Sequence, residues 1–309
     1  MEKRRIRILF TSGMRDIIDE KDEKGEPLGP SPRFSQILPF LDPNTEIVER
    51  GTPDASVGHV EQFYEDALVA PFFVRNAVQA EKEGFDAVIQ GCYSDPGVDA
   101  AREACTIPII SVLECACHVA AMLGRKFSII ITSRYPEGSP HLYNLVDQYG
   151  LSSKLASIRG IDLPPTAFNE EKMTTPDLER IKKTMLSAAK KAINEDAAQV
   201  IVAYGHQKVL DYLQSNLDVP VLQGAQIAPF ITEMFVKLRL SQSRRTYPRP
   251  RRLRAYGAPA EDLPPIRRKA AERPIVQANT RARSGQARSS QAPIGQILPS
   301  RISSGRRNY

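Results

Sequence analysis

Short apolar runs alternate with longer amphipathic stretches along most of the chain. "IRILFTS" (6–12) and "TEIVERG" (45–51) read as the first two strands. "HVEQFYEDALVAPFFVRNAVQAEKEG" (59–84) carries apolar residues at helical spacing and stops at Gly84, which suits the left-handed turn that ends a helix. "FDAVIQGC" (85–92) is almost continuously apolar, as a strand covered on both faces should be. Asp95 and Pro96 open a helix over "PGVDAAREAC". Further strands are predicted over "IPIISVLE" (107–114), "KFSIIITS" (126–133), "LASIRGIDLP" (155–164), "AQVIVAYG" (198–205) and "VPVLQG" (219–224). The intervening helices fall at 115–124, 139–151, 175–196 with Thr175 as N-cap, 206–217 and 227–240.

Strands alternating with helices of this length imply an α/β protein whose parallel sheets are flanked by helices. Two stretches echo each other: "EGFDAVIQGCYSDPGVDAAREACTIPIISVLE" and "EDAAQVIVAYGHQKVLDYLQSNLDVPVLQGAQ". Each runs from a helix end through a buried strand, a turn and a helix to "IPI" or "VPV" and another strand. Two similar lobes follow, with a cleft between them: residues 5–115, completed by about 219–240, and residues 116–218. Ligands of open α/β sheets sit beyond the carboxyl ends of the strands. Those ends carry Thr11 and Ser12, Gly91 and Cys92, Glu114, Thr132 and Ser133, and Ala203, Tyr204 and Gly205.

After about residue 241 the alternation stops. The last stretch, 241–309, is rich in Arg, Pro, Ser and Gly and holds 16 Lys and Arg against 3 Asp and Glu. Such a segment buries too little apolar surface to offset its ordering entropy, so a mostly disordered basic tail is expected. The formal charge of +6 belongs to this tail, because the preceding 240 residues carry a net −7. An acidic body lacks the broad positive footprint of a nucleic-acid binder. "IRILF" is too short for the apolar centre of a secretory signal, and no run reaches about 18 apolar residues. A cytoplasmic location with no membrane span and four free thiols is therefore expected (Cys92, Cys105, Cys115, Cys117).

Cys92 stands where a strand gives way to a helix. Gly91 allows a sharp bend there. Backbone N–H groups at a helix start would favour a thiolate and hold a developing oxyanion. A free thiol titrates near ~8.5, so a modest depression would make it a usable base. A buried structural cysteine is the equally open alternative. "ECACHV" offers Cys115, Cys117 and His118 as soft ligands, but helical residues two apart diverge and no second pair completes a tetrahedral site. No metal is expected.

"VIQGCYSDPGVDAARE", followed by "IPIISVLECACHVAAMLGRKFSIIITS", resembles the aspartate/glutamate/hydantoin racemase superfamily, and most closely its hydantoin racemase branch. The matching residues are Gly91, Cys92, Tyr93, Asp95, Pro96, Gly97, Glu114 and His118. "YNLVDQYGLSSKLASIRGIDLP" and "LRLSQSRRTYPRP" extend the likeness to roughly residues 5–253. The resemblance implies a homo-oligomeric, cofactor-independent isomerase acting on a small hydantoin-like or amino-acid-like carbon acid. It also implies one cysteine from each lobe, one taking the α-proton and the other supplying a proton to the opposite face. Cys92 is the first of these. Tyr93, Ser94, Glu114, Thr132, Ser133 and Gly205 fall at substrate-binding positions.

Two departures stand out. The second cysteine of the family lies 16 residues before the "VPV" valine, which here is Ala203. His206 and Tyr204 are the alternative groups for the opposite face, an imidazole near neutral pKa being a suitable proton donor. The first strand ends in "FTSGMRD", so Thr11, Ser12 and Arg15 would grip the polar end of a substrate. Arg15 could fork onto a carboxylate, which points to an acid. The polar loop 20–34 reads as a lid or as a solvated linker. A single-thiol decarboxylase or other carbanion lyase, and a catalytically silent binding relative, remain the competing readings.

Overall fold

The computed structural model describes residues 5–14, 34–52, 54–55, 57–133, 135, 138–163, 174–205 and 207–250. The expectations placed on Arg15, on most of the loop 20–34, on His206 and on the tail beyond residue 250 lie outside the described residues.

Among the described residues, eight strands form two parallel four-stranded sheets with one connectivity. The first contains β1 (Ile6–Thr11), β2 (Thr45–Glu49), β3 (Ala87–Gln90) and β4 (Ile109–Ser111), ordered β2-β1-β3-β4. The second contains β5 (Phe127–Thr132), β6 (Leu155–Ile161), β7 (Val200–Ala203) and β8 (Val221–Leu222), ordered β6-β5-β7-β8. The echo in the sequence is therefore a structural repeat. In each sheet the strand order reverses beside the inner pair, β1/β3 or β5/β7, which opens a crevice at their carboxyl ends.

Period-two alternation divides the side chains of each strand between two cores. In β1, Ile6, Ile8 and Phe10 enter a central core while Leu9 faces outward. In β7, Val200 and Val202 face the central core and Ile201 and Ala203 the outer one. Helices α1 (Phe63–Lys82) and α2 (Val98–Ala104) cover the outer face of the first sheet. Helices α5 (Thr175–Asp196) and α6 (Gln207–Asn216) do the same for the second. The central core is filled by α3 (Val112–Leu123), α4 (Pro140–Gln148) and α7 (Gly224–Leu238), with residues from both sheets in one cluster.

Helix α5 shows how the local sequence sets these elements. Ile181, Met185, Ala189 and Ala192 recur at helical spacing and are all buried. Burying a side chain such as Ile181 or Met185 is worth roughly 1.5–3 kcal/mol. Its N-cap is Thr174 rather than the expected Thr175. Asp177, three residues on, returns a bond to the Thr174 amide while Thr174 Oγ1 accepts from Asp177 N. Thr175 has Leu178 at that offset, which cannot reciprocate. Gly84 ends α1 at φ +81°, as its position implies.

Two boundaries move. β8 pairs with β7, so the strand within 219–224 completes the second sheet, and α7 alone returns to the first lobe. Residues 241–250 are not loose. Gln242 bonds both N–H and C=O of Ile109, Arg244 bonds the carbonyls of Arg102 and Cys105, and Tyr247 Oη accepts from Arg102. This strap seals the outer edge at β4, where an open edge would leave backbone groups unpaired. Among the described residues, no helix is long and apolar enough to cross a membrane.

Candidate active site at the lobe junction

The register shows which loops correspond. Val88 N donates to Pro108 O in the first sheet, and Ile201 N donates to Pro220 O in the second. Four residues beyond Val88 is Cys92; four beyond Ile201 is Gly205. The positional counterpart of Cys92 is thus Gly205, not Ala203, whose side chain is fully buried in the outer core beneath α5 and α6. β1 runs beside β3 with Thr11 level with Gln90, which places Ser12 and Gly13 alongside Gly91 and Cys92. β5 runs beside β7 with Ile130 level with Ala203, which places Thr132 alongside Gly205.

The Cys92 loop is tightly built. Gln90 is completely buried, and its side chain staples the loop at both ends: Oε1 accepts from Cys92 N at 3.0 Å and Nε2 donates to Pro96 O at 2.9 Å. Gly91 lies against the Phe10 ring, where a Cβ would come within 2.5 Å of a ring carbon. Asp95 takes a left-handed φ of 51°. Gly97 does so at 75° and presses on the Ala70 carbonyl of α1.

Helix α2 begins only at Val98, so its N-terminus does not serve the sulfur, contrary to expectation. The amide of Ser94, one turn inside the loop, donates to Cys92 Sγ at 3.4 Å instead. The thiol is not acidified. Burial, with the nearby charges of Asp95 and Asp66 adding to it, pushes it up to about 12, and the Ser94 amide only partly opposes this. Cys92 is 8% exposed.

Second-lobe groups close over this loop. Tyr93 Oη donates to Ala203 O at 3.2 Å and accepts from Gly224 N at 2.8 Å, and its ring meets Tyr204 edge-on at 5.5 Å. The Tyr93 hydroxyl is therefore a clamp between lobes rather than a free donor to a substrate. Asp95 accepts from Ser111 Oγ at 2.6 Å and from Tyr149 Oη at the end of α4. Burial raises the Asp95 carboxyl to about 7 despite these bonds, with Glu114 adding to the rise and Arg102 opposing it. His141, near the start of α4, places Nε2 2.7 Å from Ser94 O and 3.5 Å from Asp66 Oδ1 of α1.

The other expected contact residues divide. Thr11, Ser12, Ser94, Thr132 and Ser133 are buried polar groups at the strand ends. Thr11 Oγ1 accepts from Asn76, Ser12 Oγ from Met14 N and Ser133 Oγ from Tyr135 N. Gly205 is partly buried, and its carbonyl accepts from Gln223 Nε2 at 2.5 Å. Glu114 is drawn away: it pairs with the buried Arg102, which also bonds Ile109 O and Tyr247. Cys105, Cys115 and Cys117 are core thiols, raised by burial. His118 is exposed while Cys115 and Cys117 are not, and no cluster among the described residues has the makings of a metal site.

Asp66, His141, Ser111 and Tyr149 were not singled out in the sequence. Asp66 sits in "FYEDALV" and His141 in "SPHLYN", stretches that the sequence marks only as helices. Asp95 stands out in the sequence only as a motif residue and as a helix opener, and the helix begins at Val98 with Gly97 as its N-cap.

The profile of the Asp/Glu/Hydantoin racemase family matches residues 35–229. The hydantoin racemase of Rhizobium meliloti is 32% identical over 213 residues, 68% of this chain and 85% of that protein. The hydantoin racemase of Pseudomonas sp. (strain NS671) is 29% identical over 218 residues, 70% of this chain and 84% of that protein. The crystal structure of an allantoin racemase from Pseudomonas fluorescens superposes with a TM-score of 0.65 at 27% identity, covering 82% of this chain and all of that one. These relatives carry the names of isomerases, and their match spans both lobes. By profile and by sequence, the chain belongs to the Asp/Glu/Hydantoin racemase family.

Proposed function

We propose that this protein moves the α-proton of a small cyclic ureide of the hydantoin type, using Cys92 as the reacting thiol and no second cysteine. The observation that carries this reading is the position of Cys92 at the crevice of the first sheet, with the Ser94 amide on its sulfur and second-lobe side chains closing over its loop. The relatives named for hydantoin and allantoin support the substrate class, since allantoin is itself a substituted hydantoin.

In one direction Cys92 acts as thiolate. It takes the proton from the stereogenic carbon, the C–H electron pair stays on the substrate as an enolate, and sulfur becomes thiol. In the other direction the thiol returns a proton to that carbon. A sulfur held near 12 is scarcely ionised at neutral pH but strongly basic once it is. The chain has no cysteine beyond Cys117, so a proton for the opposite face has to come from another group at the end of β7 or from water. Tyr204, against the Tyr93 ring, and His206 are the residues we assign as candidates. A single thiol also suits a one-faced carbanion reaction such as decarboxylation, and the same experiment separates the two.

The test uses an optically pure 5-substituted hydantoin and allantoin in deuterium oxide. Loss of the α-proton signal together with loss of optical rotation is expected, and Cys92→Ser should reduce both roughly 10²–10⁴-fold. Full turnover by a folded Cys92→Ser protein would remove the thiol from the reaction. Carbon dioxide release from an arylmalonate, without exchange on either hydantoin, would replace racemisation with decarboxylation.

A further inference from the structure

The two lobes bring together a chain of groups that ends on the sulfur. Asp66 comes from α1 of the first lobe and His141 from α4 of the second. His141 Nε2 faces two acceptors, Ser94 O at 2.7 Å and Asp66 Oδ1 at 3.5 Å, so it carries the proton. Ser94 in turn donates its amide to Cys92 Sγ. Among the described residues, His141 Nδ1 and Asp66 Oδ1 are buried without a hydrogen-bond partner, Asp66 Oδ1 lying 3.5 Å from Nε2 of the ring. Phe63 packs edge-on against the imidazole at 4.7 Å, which fixes the plane of the ring. Leaving polar atoms bare in this way costs stability.

We propose that His141 is a positioning residue for Cys92: its Nε2–H holds the Ser94 carbonyl, and with it the turn, so that the Ser94 amide stays on the sulfur. A second-lobe side chain then fixes the surroundings of a first-lobe thiol. The ionisable groups around this point are Asp66 on α1, Asp95 in the loop itself, and His141 and Tyr149 on α4. Asp66 and Asp95 raise the thiol, whereas Ser94 works in the opposite direction through both its amide and its side chain. The inference rests on Cys92 as the reacting thiol. Its test reads that sulfur directly and needs no substrate.

Glutamine and asparagine separate the two ring nitrogens. The Gln side-chain amide nitrogen lies as many bonds from Cα as Nε2, whereas that of Asn reaches only as far as Nδ1. The alkylation rate of Cys92 by iodoacetamide is measured from pH 7 to 10 by peptide mass mapping, in the intact protein and in His141→Gln and His141→Asn. His141→Asn should slow Cys92 about tenfold at every pH, equivalent to a rise of about one pH unit in the thiol. His141→Gln should stay within about threefold of the parent. If His141 only holds the lobes together, losing it opens the junction and Cys92 reacts faster in His141→Asn; that outcome overturns the proposal. Equal rates in all three proteins, each melting at the parent temperature, overturn it as well.

Discussion

The crevice loops after β3 and β7 occupy equivalent places in equivalent sheets, yet they are built differently. The first is long and stapled. Gln90 pins it at two points, Asp95 and Gly97 hold left-handed backbone, and a sulfur sits inside with an amide directed at it. The second passes from Ala203 through Tyr204 to Gly205 and brings backbone and an aromatic ring, but no thiol. The symmetry of the fold thus does not extend to its chemistry. A two-faced proton transfer needs a group on each side of the carbon, and here only one side carries sulfur. The clamp is one-sided too: Tyr93 of the first loop reaches across to Ala203 O and Gly224 N.

The largest expected break in this comparison is Cys92→Ser. It should lower α-proton exchange roughly 10²–10⁴-fold while leaving the melting temperature within a few degrees, since the exchange of sulfur for oxygen is nearly isosteric. A loss of fold and activity together would make the first loop a structural element instead of a reactive one.

Asp95→Asn is next. The folded carboxyl sits near 7, above its ordinary value of 3.8, so the native state binds this proton more tightly than the unfolded chain does. Stability from this group is therefore greatest below about pH 4 and is lost as pH rises through 7, by about 4 kcal/mol at most. The asparagine variant has no such proton to lose. Urea denaturation at pH 4.5 and pH 7.5 should show a smaller drop in the variant than in the parent. An identical drop would mean that Asp95 is ionised and satisfied throughout, and that the first loop is not under electrostatic load.

Much of the fold was legible in the sequence because it depends on periodicity. The strands at 85–92 and 198–205 announced themselves as apolar runs, and the repeated "IPI" and "VPV" marked the same edge in each lobe. The place of Cys92 just past the end of a strand was legible too, because the apolar run before it stops at Gly91. What was not legible depends on three-dimensional pairing. Counting residues back from Val219 gave Ala203 as the second-cysteine position, because one-dimensional spacing does not register that Val88 is 20 residues before its proline and Ile201 only 19. Glu114 was read as a contact for substrate because it ends a strand, and only folding showed Arg102 beneath it. Asp66 and His141 lie on different helices of different lobes, so nothing local distinguished them from solvent-facing polar residues. Even the acidity of the thiol was misjudged, since a helix start six residues after Cys92 proved too distant to help and burial decided the sign.

Tyr93→Phe addresses the clamp. It leaves the Gly224 N–H and the Ala203 carbonyl without the hydroxyl that joins them, for about 1–3 kcal/mol of stability. Chemical denaturation should register that loss as a single cooperative transition at lower urea. No change would imply that water replaces the hydroxyl and that the lobes are held by their shared core alone.

The smallest effect tests the comparison most directly. If the loops correspond as the register indicates, a thiol introduced at Gly205 stands opposite Cys92, whereas one at Ala203 enters the outer core between α5 and α6. Gly205→Cys should raise the ratio of racemisation to α-proton exchange by a factor of about 2–10, because a second-face donor shortens the wait for protonation without changing the first abstraction. Ala203→Cys should leave that ratio where it was, since its side chain has no route to the crevice. The opposite ranking, with Ala203→Cys the better racemase, would show that the end of β7 untwists in the working enzyme and that sequence spacing, not strand register, identifies the second face.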